Sequence, residues 1–137
     1  MAVLTRLRTP AKLENLGRLI AALSDCAKVQ GFGQEKISKI ELAAEEALVN
    51  IFRYAYPKAP GDVEMVCRSK GDRFAIEIID SGIPFDATAM QVWEVTEGNH
   101  ERQPGGLGIF LMKKMMDEVC YRREKDRNIL TLTIQKD

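Results

Sequence analysis

The stretch LAAEEALVNIFRYAYP, residues 42–57, decides how the rest of the sequence is read. With the residues before it, it places Ile37, Ile40, Ala44, Ala47, Leu48, Ile51 and Ala55 at steps of three and four. That spacing draws one apolar stripe down an α-helix, predicted here from about Gln34 to Ala55. Pro57 and the Pro60-Gly61 pair end it. Two strand-like runs follow, Val63 to Arg68 and Arg73 to Ile79, joined by Lys70-Gly71-Asp72 in a hairpin-like turn. In the second run Phe74, Ile76 and Ile78 alternate with Ala75, Glu77 and Ile79. A one-sided helix beside a hairpin points to segregated helices and strands, not to a doubly wound sheet.

Working outward, residues 2 to 8 read as a short edge strand, and Thr9-Pro10 reads as a helix start with Thr9 as N-cap. Leu13, Leu16, Leu19, Ile20, Leu23 and Ala27 form the stripe of that first helix, which should stop near Gly31. Residues 80 to 106 are loop-rich, with a helical turn near Ala87 to Met90, and a third helix runs from about Leu107 to Glu118. The chain closes with a run Val119 to Glu124, a polar turn at Lys125 to Asn128 and an alternating strand from Ile129 to Gln135. Residues 1–137 are thus expected to form a single domain of the α+β class. It would be a two-layer sandwich, a mixed but mostly antiparallel sheet with helices on one face.

Lys plus Arg and Asp plus Glu are both 20, a balance that argues against a nucleic-acid footprint, which needs a basic surplus. Cys26, Cys67 and Cys120 are far apart, no CxxC pair occurs, and His100 is the only histidine, so no metal-ligand spacing is present. Reduced, mostly buried thiols in a cytoplasmic protein are the expectation. Met1 to Pro10 lacks the apolar core of a signal peptide. No apolar run approaches the roughly 18 residues of a membrane span, so no membrane is expected as a partner.

Three segments carry chemistry. Glu46 and Asn50 are four apart on the second helix and share a face. A carboxylate there can take a proton from a hydroxyl, and an amide oxygen suits Mg²⁺; a solvated helix edge would show the same spacing. Asp80-Ser81-Gly82-Ile83-Pro84-Phe85-Asp86 follows an apolar strand. A strand-end carboxylate can accept a hydrogen bond from an exocyclic amine such as that of adenine, with Gly82 letting backbone approach a ligand; the same residue types also build ordinary turns. Gly105-Gly106-Leu107-Gly108 opens the third helix, where exposed N–H groups favour an anion. It fits neither the GxxxxGK[ST] nor the strand-led GxGxxG pattern, so its phosphate reading leans on the other two.

In this order, "LAAEEALVNIFRYAYP", "DSGIPFD" and "GGLGIFLMKKMMDEV" resemble the GHKL (Bergerat-fold) ATPase superfamily, and within it the anti-sigma-factor serine/threonine protein kinases of partner-switching pathways. The resemblance spans nearly the whole chain. It implies a histidine kinase-like ATPase fold binding ATP and Mg²⁺, with Asn50 as metal ligand and Glu46 as general base. Asp80 would take the adenine amine with Gly82 beside the base. Gly105, Gly106, Leu107 and Gly108 would lie along the phosphates under a lid of residues 92 to 104. It implies as partners an antagonist protein carrying a phosphoacceptor Ser or Thr, a sigma factor, and a second copy through the first strand and helix.

The match has departures. Pro84 stands where related ATPases have a second glycine, Arg53 where many have histidine, and "NILTLTI" lacks a Gly-Thr start, so no adenine contact is assigned to the final strand. His100 and Arg102 read as solvated lid residues, Trp93 as a lid anchor, and Glu45 as a solvated neighbour pointing about 100° away from Glu46. Two other functions share these residues: an ATP-gated anti-sigma or adaptor module without catalysis, and the ATP-binding half of a histidine kinase. The latter is disfavoured by the lack of a phosphoacceptor helix.

Overall fold

The computed structural model of the protein describes residues 1–86 and 106–136. Five strands form one sheet: β1 (Ala2–Pro10), β2 (Asp62–Lys70), β3 (Arg73–Asp80), β4 (Glu118–Glu124) and β5 (Arg127–Gln135), in the spatial order β1-β2-β3-β5-β4. Every neighbouring pair is antiparallel, so the expected mostly antiparallel sheet has no parallel pairing among the described residues. The helices are α1 (Leu16–Val29), α2 (Gln34–Tyr54) and α3 (Gly106–Met115), with a 3₁₀ turn at Leu13–Asn15 before α1. They lie on one face of the sheet, α2 packing against both α1 and α3.

The core lies between these layers. Leu19, Leu23, Ile40, Ala44 and Leu48 from the helices meet Met65, Cys67, Phe74, Ile76, Ile78 and Leu132 from the strands, all buried. The period-two register puts Phe74, Ile76, Ile78 and Asp80 on the inner face, opposite Ile134, Leu132, Leu130 and Asn128. Phe74 also stacks at a tilt on Phe32, with ring centroids 5.6 Å apart. α1 ends as expected at Gly31. Its φ of 91° lets Gly31 N–H reach Lys28 O and Phe32 N–H reach Ala27 O, a Schellman closure that also docks Phe32 in the core.

No helix covers the outer face among the described residues. It is tiled by cross-strand ion pairs instead: Arg6–Glu64 at 3.3 Å, Arg68–Glu77 at 2.7 Å, Arg73–Glu118 at 3.0 Å and Arg122–Glu77 at 3.8 Å. Val66, Ala75 and Ile129 are buried on this face although no helix among the described residues covers it. Their strand partners include Arg6, Arg68 and Arg122, whose aliphatic stems can cover apolar surface while their heads stay in water.

Four expectations are corrected. Thr9 and Pro10 do not start a helix; they end β1, paired with Val63 and Asp62. The ladder bonds of a strand neighbour outweigh a local N-cap preference. Leu13 consequently leaves the α1 stripe and is 67% exposed. The third helix stops at Met115, and Glu118 already begins β4. Asn128 is not in a turn: Lys125 and Asp126 alone bridge β4 and β5, with Lys125 at φ 56°. The helical turn expected near Ala87 to Met90 lies outside the described residues.

The α1 boundary is testable by chemical denaturation. Leu13→Ser should change stability by no more than about 0.5 kcal/mol, as exposed substitutions do. Leu19→Ala, at a fully buried position, should cost about 2–5 kcal/mol. Equal costs at both positions would restore Leu13 to the core stripe.

Candidate functional site

α2 brings two of the sequence-predicted residues to one place. The stripe that buries Ala43, Ala44, Ala47, Leu48 and Ile51 turns Glu46 and Asn50 to its edge, beside α3. Glu46 is half-buried and Glu45 is exposed, as their different helical directions require. Asn50 is 5% exposed, and its Nδ2 is buried with no hydrogen-bond partner among the described residues. An unpaired buried amide costs about 1–3 kcal/mol, so this group is built for something other than stability.

The first turn of α3 closes over that pair. A Cβ on Gly108 would come within 2.9 Å of Glu46 Oε2 and 3.5 Å of Asn50 Nδ2. A side chain at this position would press on the Glu46 carboxylate and sit in contact with the Asn50 amide. Gly106 is the first residue of α3, while Gly105 and the expected lid residues, with Trp93, His100 and Arg102, lie outside the described residues. Leu107 is within the helix. Flipped so that Oδ1 takes the place of Nδ2, the Asn50 amide would offer Mg²⁺ a hard donor at this junction. Glu46 adds a carboxylate nearby. No cluster of three or more His, Cys, Asp or Glu that could hold a metal exists among the described residues, so such an ion would need oxygens from its ligand as well.

Asp80 ends β3 on the inner face, 4% exposed. Gly82 N–H and Asn128 Nδ2 both donate to its Oδ1, each at 2.9 Å. Burial raises its pKa above the ordinary carboxylate value; the hydrogen bonds from Asn128 and Gly82 and the charge of Arg123 pull the other way. Asp80 and Asn50 line one small cavity with Ala47, Ile51, Ala55, Phe85, Tyr121, Asn128 and Leu130. Its volume is about 20 Å³, room for about one water molecule, so a purine would enter only as side chains such as Phe85 shift. Phe85 rests on Tyr54, ring centroids 5.8 Å apart. A wider groove of about 750 Å³ is lined by Asp80 as well, with Arg8, Lys12, Tyr56, Asp62, Ser81 and Arg127, but not by Asn50 or Glu46.

Gly82 has a structural reason that sequence reading did not supply. A Cβ there would lie 2.2 Å from Ala55 O, and Ile83 N–H donates to that same carbonyl at 2.9 Å. Tyr56 adds a second clasp: its hydroxyl accepts from Ser81 N–H at 2.8 Å and donates to Asp62 O at 2.6 Å. The end of α2 therefore grips the Asp80 loop. Asn128, Tyr121 and Arg123 were missed as site residues. The available signal was parity, since Asn128 continues the inward series of Leu130, Leu132 and Ile134 as a lone polar residue.

Other residues stand apart from this site. Arg53 is exposed at the last turn of α2. All three cysteines are free, but only Cys67 is buried; Cys26 is half-buried and Cys120 exposed, against the expectation of mostly buried thiols. Burial, then the neighbouring Cys26 thiol, push the Cys67 thiol up to about 12. No helix among the described residues is long and apolar enough to cross a membrane.

A family model described as a histidine kinase-like ATPase domain matches residues 9–134. The chain is similar to the serine-protein kinase RsbW of Bacillus cereus strain Q1, 25% identical over 136 residues, which cover 96% of this chain and 85% of the relative. RsbW of Bacillus thuringiensis strain Al Hakam is 24% identical over the same shares. In fold it resembles the histidine kinase domain of the blue-light-activated histidine kinase of Erythrobacter litoralis, with a TM-score of 0.56 and 19% identity. That alignment covers 90% of this chain and 60% of the other. The nucleotide-free catalytic domain of histidine kinase ThkA gives a TM-score of 0.52 at 12% identity over 97% of both chains.

The raised pKa of Asp80 has a stability consequence. A carboxyl whose folded pKa exceeds its unfolded one favours the fold in its protonated form, and that contribution is lost as pH rises through the folded value. At pH 7 the ionised Asp80 therefore costs stability. Asp80→Asn, whose amide oxygen can still accept from Gly82 and Asn128, should melt at or above the wild-type temperature at pH 7. The advantage should disappear below pH 4 or so, where the wild-type carboxyl is protonated. A lower melting temperature at pH 7 would contradict this account.

Proposed function

The chain belongs to the histidine kinase-like ATPase domain family, and on that premise we propose that it is an ATP-dependent serine/threonine protein kinase. It acts as an anti-sigma-factor type regulator, phosphorylating a small antagonist protein in a partner-switching pathway. The observation that carries the reading is the Glu46–Asn50–Gly108 junction, where a carboxylate and a buried amide with no partner among the described residues lie against a helix start that bears no side chain. The kinase relatives and the sequence resemblance to anti-sigma-factor kinases support the choice of acceptor class.

In this reading Asp80 accepts a hydrogen bond from the adenine amine, and Gly105, Gly106, Leu107 and Gly108 run along the phosphates. Asn50 would hold Mg²⁺, which when bound neutralises charge on the phosphates. Glu46 accepts the proton of the acceptor hydroxyl as its oxygen bonds to the γ-phosphorus. The bond from that phosphorus to the β,γ-bridging oxygen breaks and ADP leaves. Phosphoryl transfer asks a protein mainly for positioning and charge compensation, so this short set of groups suffices. A second copy, the antagonist and a sigma factor are the proposed partners, in the cytoplasm.

The test mixes the protein with radiolabelled ATP, Mg²⁺ and a candidate antagonist. Glu46→Ala should keep ATP affinity within a few-fold and lower transfer by about 10²–10⁴-fold, the usual worth of a general base. Acid-stable, base-labile label on the antagonist identifies phosphoserine or phosphothreonine. Transfer by Glu46→Ala at the wild-type rate would remove Glu46 as the base. ATP binding without transfer to any antagonist would leave an ATP-gated binding module. Asn50→Ala should bind ATP without the strengthening that Mg²⁺ gives the wild type, read by calorimetric titration.

A further inference from the structure

We infer that Asn128 is a positioning residue that aims the Asp80 carboxylate, and thereby sets discrimination between 6-amino and 6-oxo purine nucleotides. The inference rests on the proposed role of Asp80 as acceptor of the base's amine. Asn128 lies at the start of β5, directly across the ladder from Asp80, and is 4% exposed. Its Nδ2 donates twice, to Asp80 Oδ1 at 2.9 Å and to Ile83 O at 2.8 Å. Its Oδ1 accepts the Tyr121 hydroxyl at 2.6 Å, Arg123 Nη1 at 3.2 Å and Phe85 N–H at 3.4 Å.

Every part of this amide is thus committed, and only one orientation works. Turned by 180°, Oδ1 would face the Asp80 carboxylate and the Ile83 carbonyl, two acceptors, while Nδ2 would face the Arg123 and Phe85 donors and keep only the Tyr121 hydroxyl as a partner. The side chain is pinned from β4 through Tyr121 and Arg123 and pins the loop in turn. Arg123 also donates to Gly82 O at 2.8 Å, holding that loop from a second point.

The consequence falls on Asp80. Both of its donors among the described residues, Gly82 N–H and Asn128 Nδ2, converge on Oδ1. No hydrogen bond is made to Oδ2 among the described residues. One oxygen is thus held by two donors and the other is left as a single acceptor, on a residue that lines both the small cavity and the wider groove. Such an oxygen favours an amine on the base and opposes a carbonyl, whose oxygen would meet it acceptor to acceptor. Without Asn128 the carboxylate would turn about its χ2 and lose that selectivity. The final strand, to which the sequence assigned no contact with the base, acts on it at one remove.

The experiment titrates ATP and inosine triphosphate, each with Mg²⁺, into wild type, Asp80→Asn, Asn128→Leu and Tyr121→Phe, with a melting curve for each. Wild type should prefer ATP by about 10–100-fold, the worth of a hydrogen bond to a charged group. Asn128→Leu should bring that ratio near unity while inosine triphosphate affinity stays within about 3-fold of wild type, because the phosphate contacts are untouched. A purely structural residue would weaken both nucleotides alike and keep the ratio. Tyr121→Phe, which removes a single hydroxyl from Asn128, should lower the ratio by about 3-fold and carries the test if Asn128→Leu does not fold. An unchanged ratio in folded Asn128→Leu or in Tyr121→Phe, with the ratio abolished in Asp80→Asn, would overturn the role of Asn128 and leave Asp80 as the reader. Equal wild-type affinities would overturn the role of Asp80, and no ATP binding would overturn the proposed function itself.

Discussion

A carboxylate placed on the inner face of a sheet is the constraint around which this molecule is arranged. Asp80 sits where the alternation of β3 demands an apolar side chain, in series with Phe74, Ile76 and Ile78. Burying a charge there requires donors close at hand. The register supplies them, since β5 pairs Asn128 with Asp80 and the turn brings Gly82 N–H back onto the same oxygen. Register is specified in whole, because a slip by one residue would turn the inner set outward. The hydrophobic pattern of the β3–β5 pair therefore fixes the polar geometry at its end.

α2 ties this end of the sheet to the opposite side of the site. Its edge carries Glu46 and Asn50, and its C-terminal cap, Ala55, touches the Asp80 loop through main-chain atoms, with Tyr56 binding the next residue. One rigid element thus sets the distance between the carboxylate at the strand end and the amide beside α3. The glycines at 82 and 108 serve the same end from different directions: one admits a backbone, the other brings a helix start against a polar pair.

Most of the fold was legible because two periods carry it. The stripe from Ile37 to Ala55 and the alternation in Arg73 to Ile79 and Ile129 to Gln135 are long enough to override local ambiguity. Thr9-Pro10 misled because a capping preference is local, whereas pairing with Val63 and Asp62 depends on a strand more than fifty residues away. In the site, Glu46, Asn50 and Asp80 were visible by residue type and spacing, and the structure places Glu46 and Asn50 at one junction and Asn50 with Asp80 in one cavity. Asn128 was hidden by its polarity, which reads as a turn when the pairing partner is unknown. Gly82 was noticed for closeness to a ligand, while its nearest demand comes from Ala55.

The tiled outer face of the sheet bears on how the protein meets other molecules. Its arginines and glutamates are paired across strands at 2.7 to 3.8 Å, with Glu77 shared by Arg68 and Arg122 and Arg122 also bonded to Glu124. Fields from such pairs cancel over less than the Debye length of about 8 Å in physiological salt. Val66, Ala75 and Ile129 are shielded from water beneath them. To an approaching molecule the described part of this side presents interlocked opposite charges over shielded aliphatic residues, so binding there would first have to break pairs the sheet already makes.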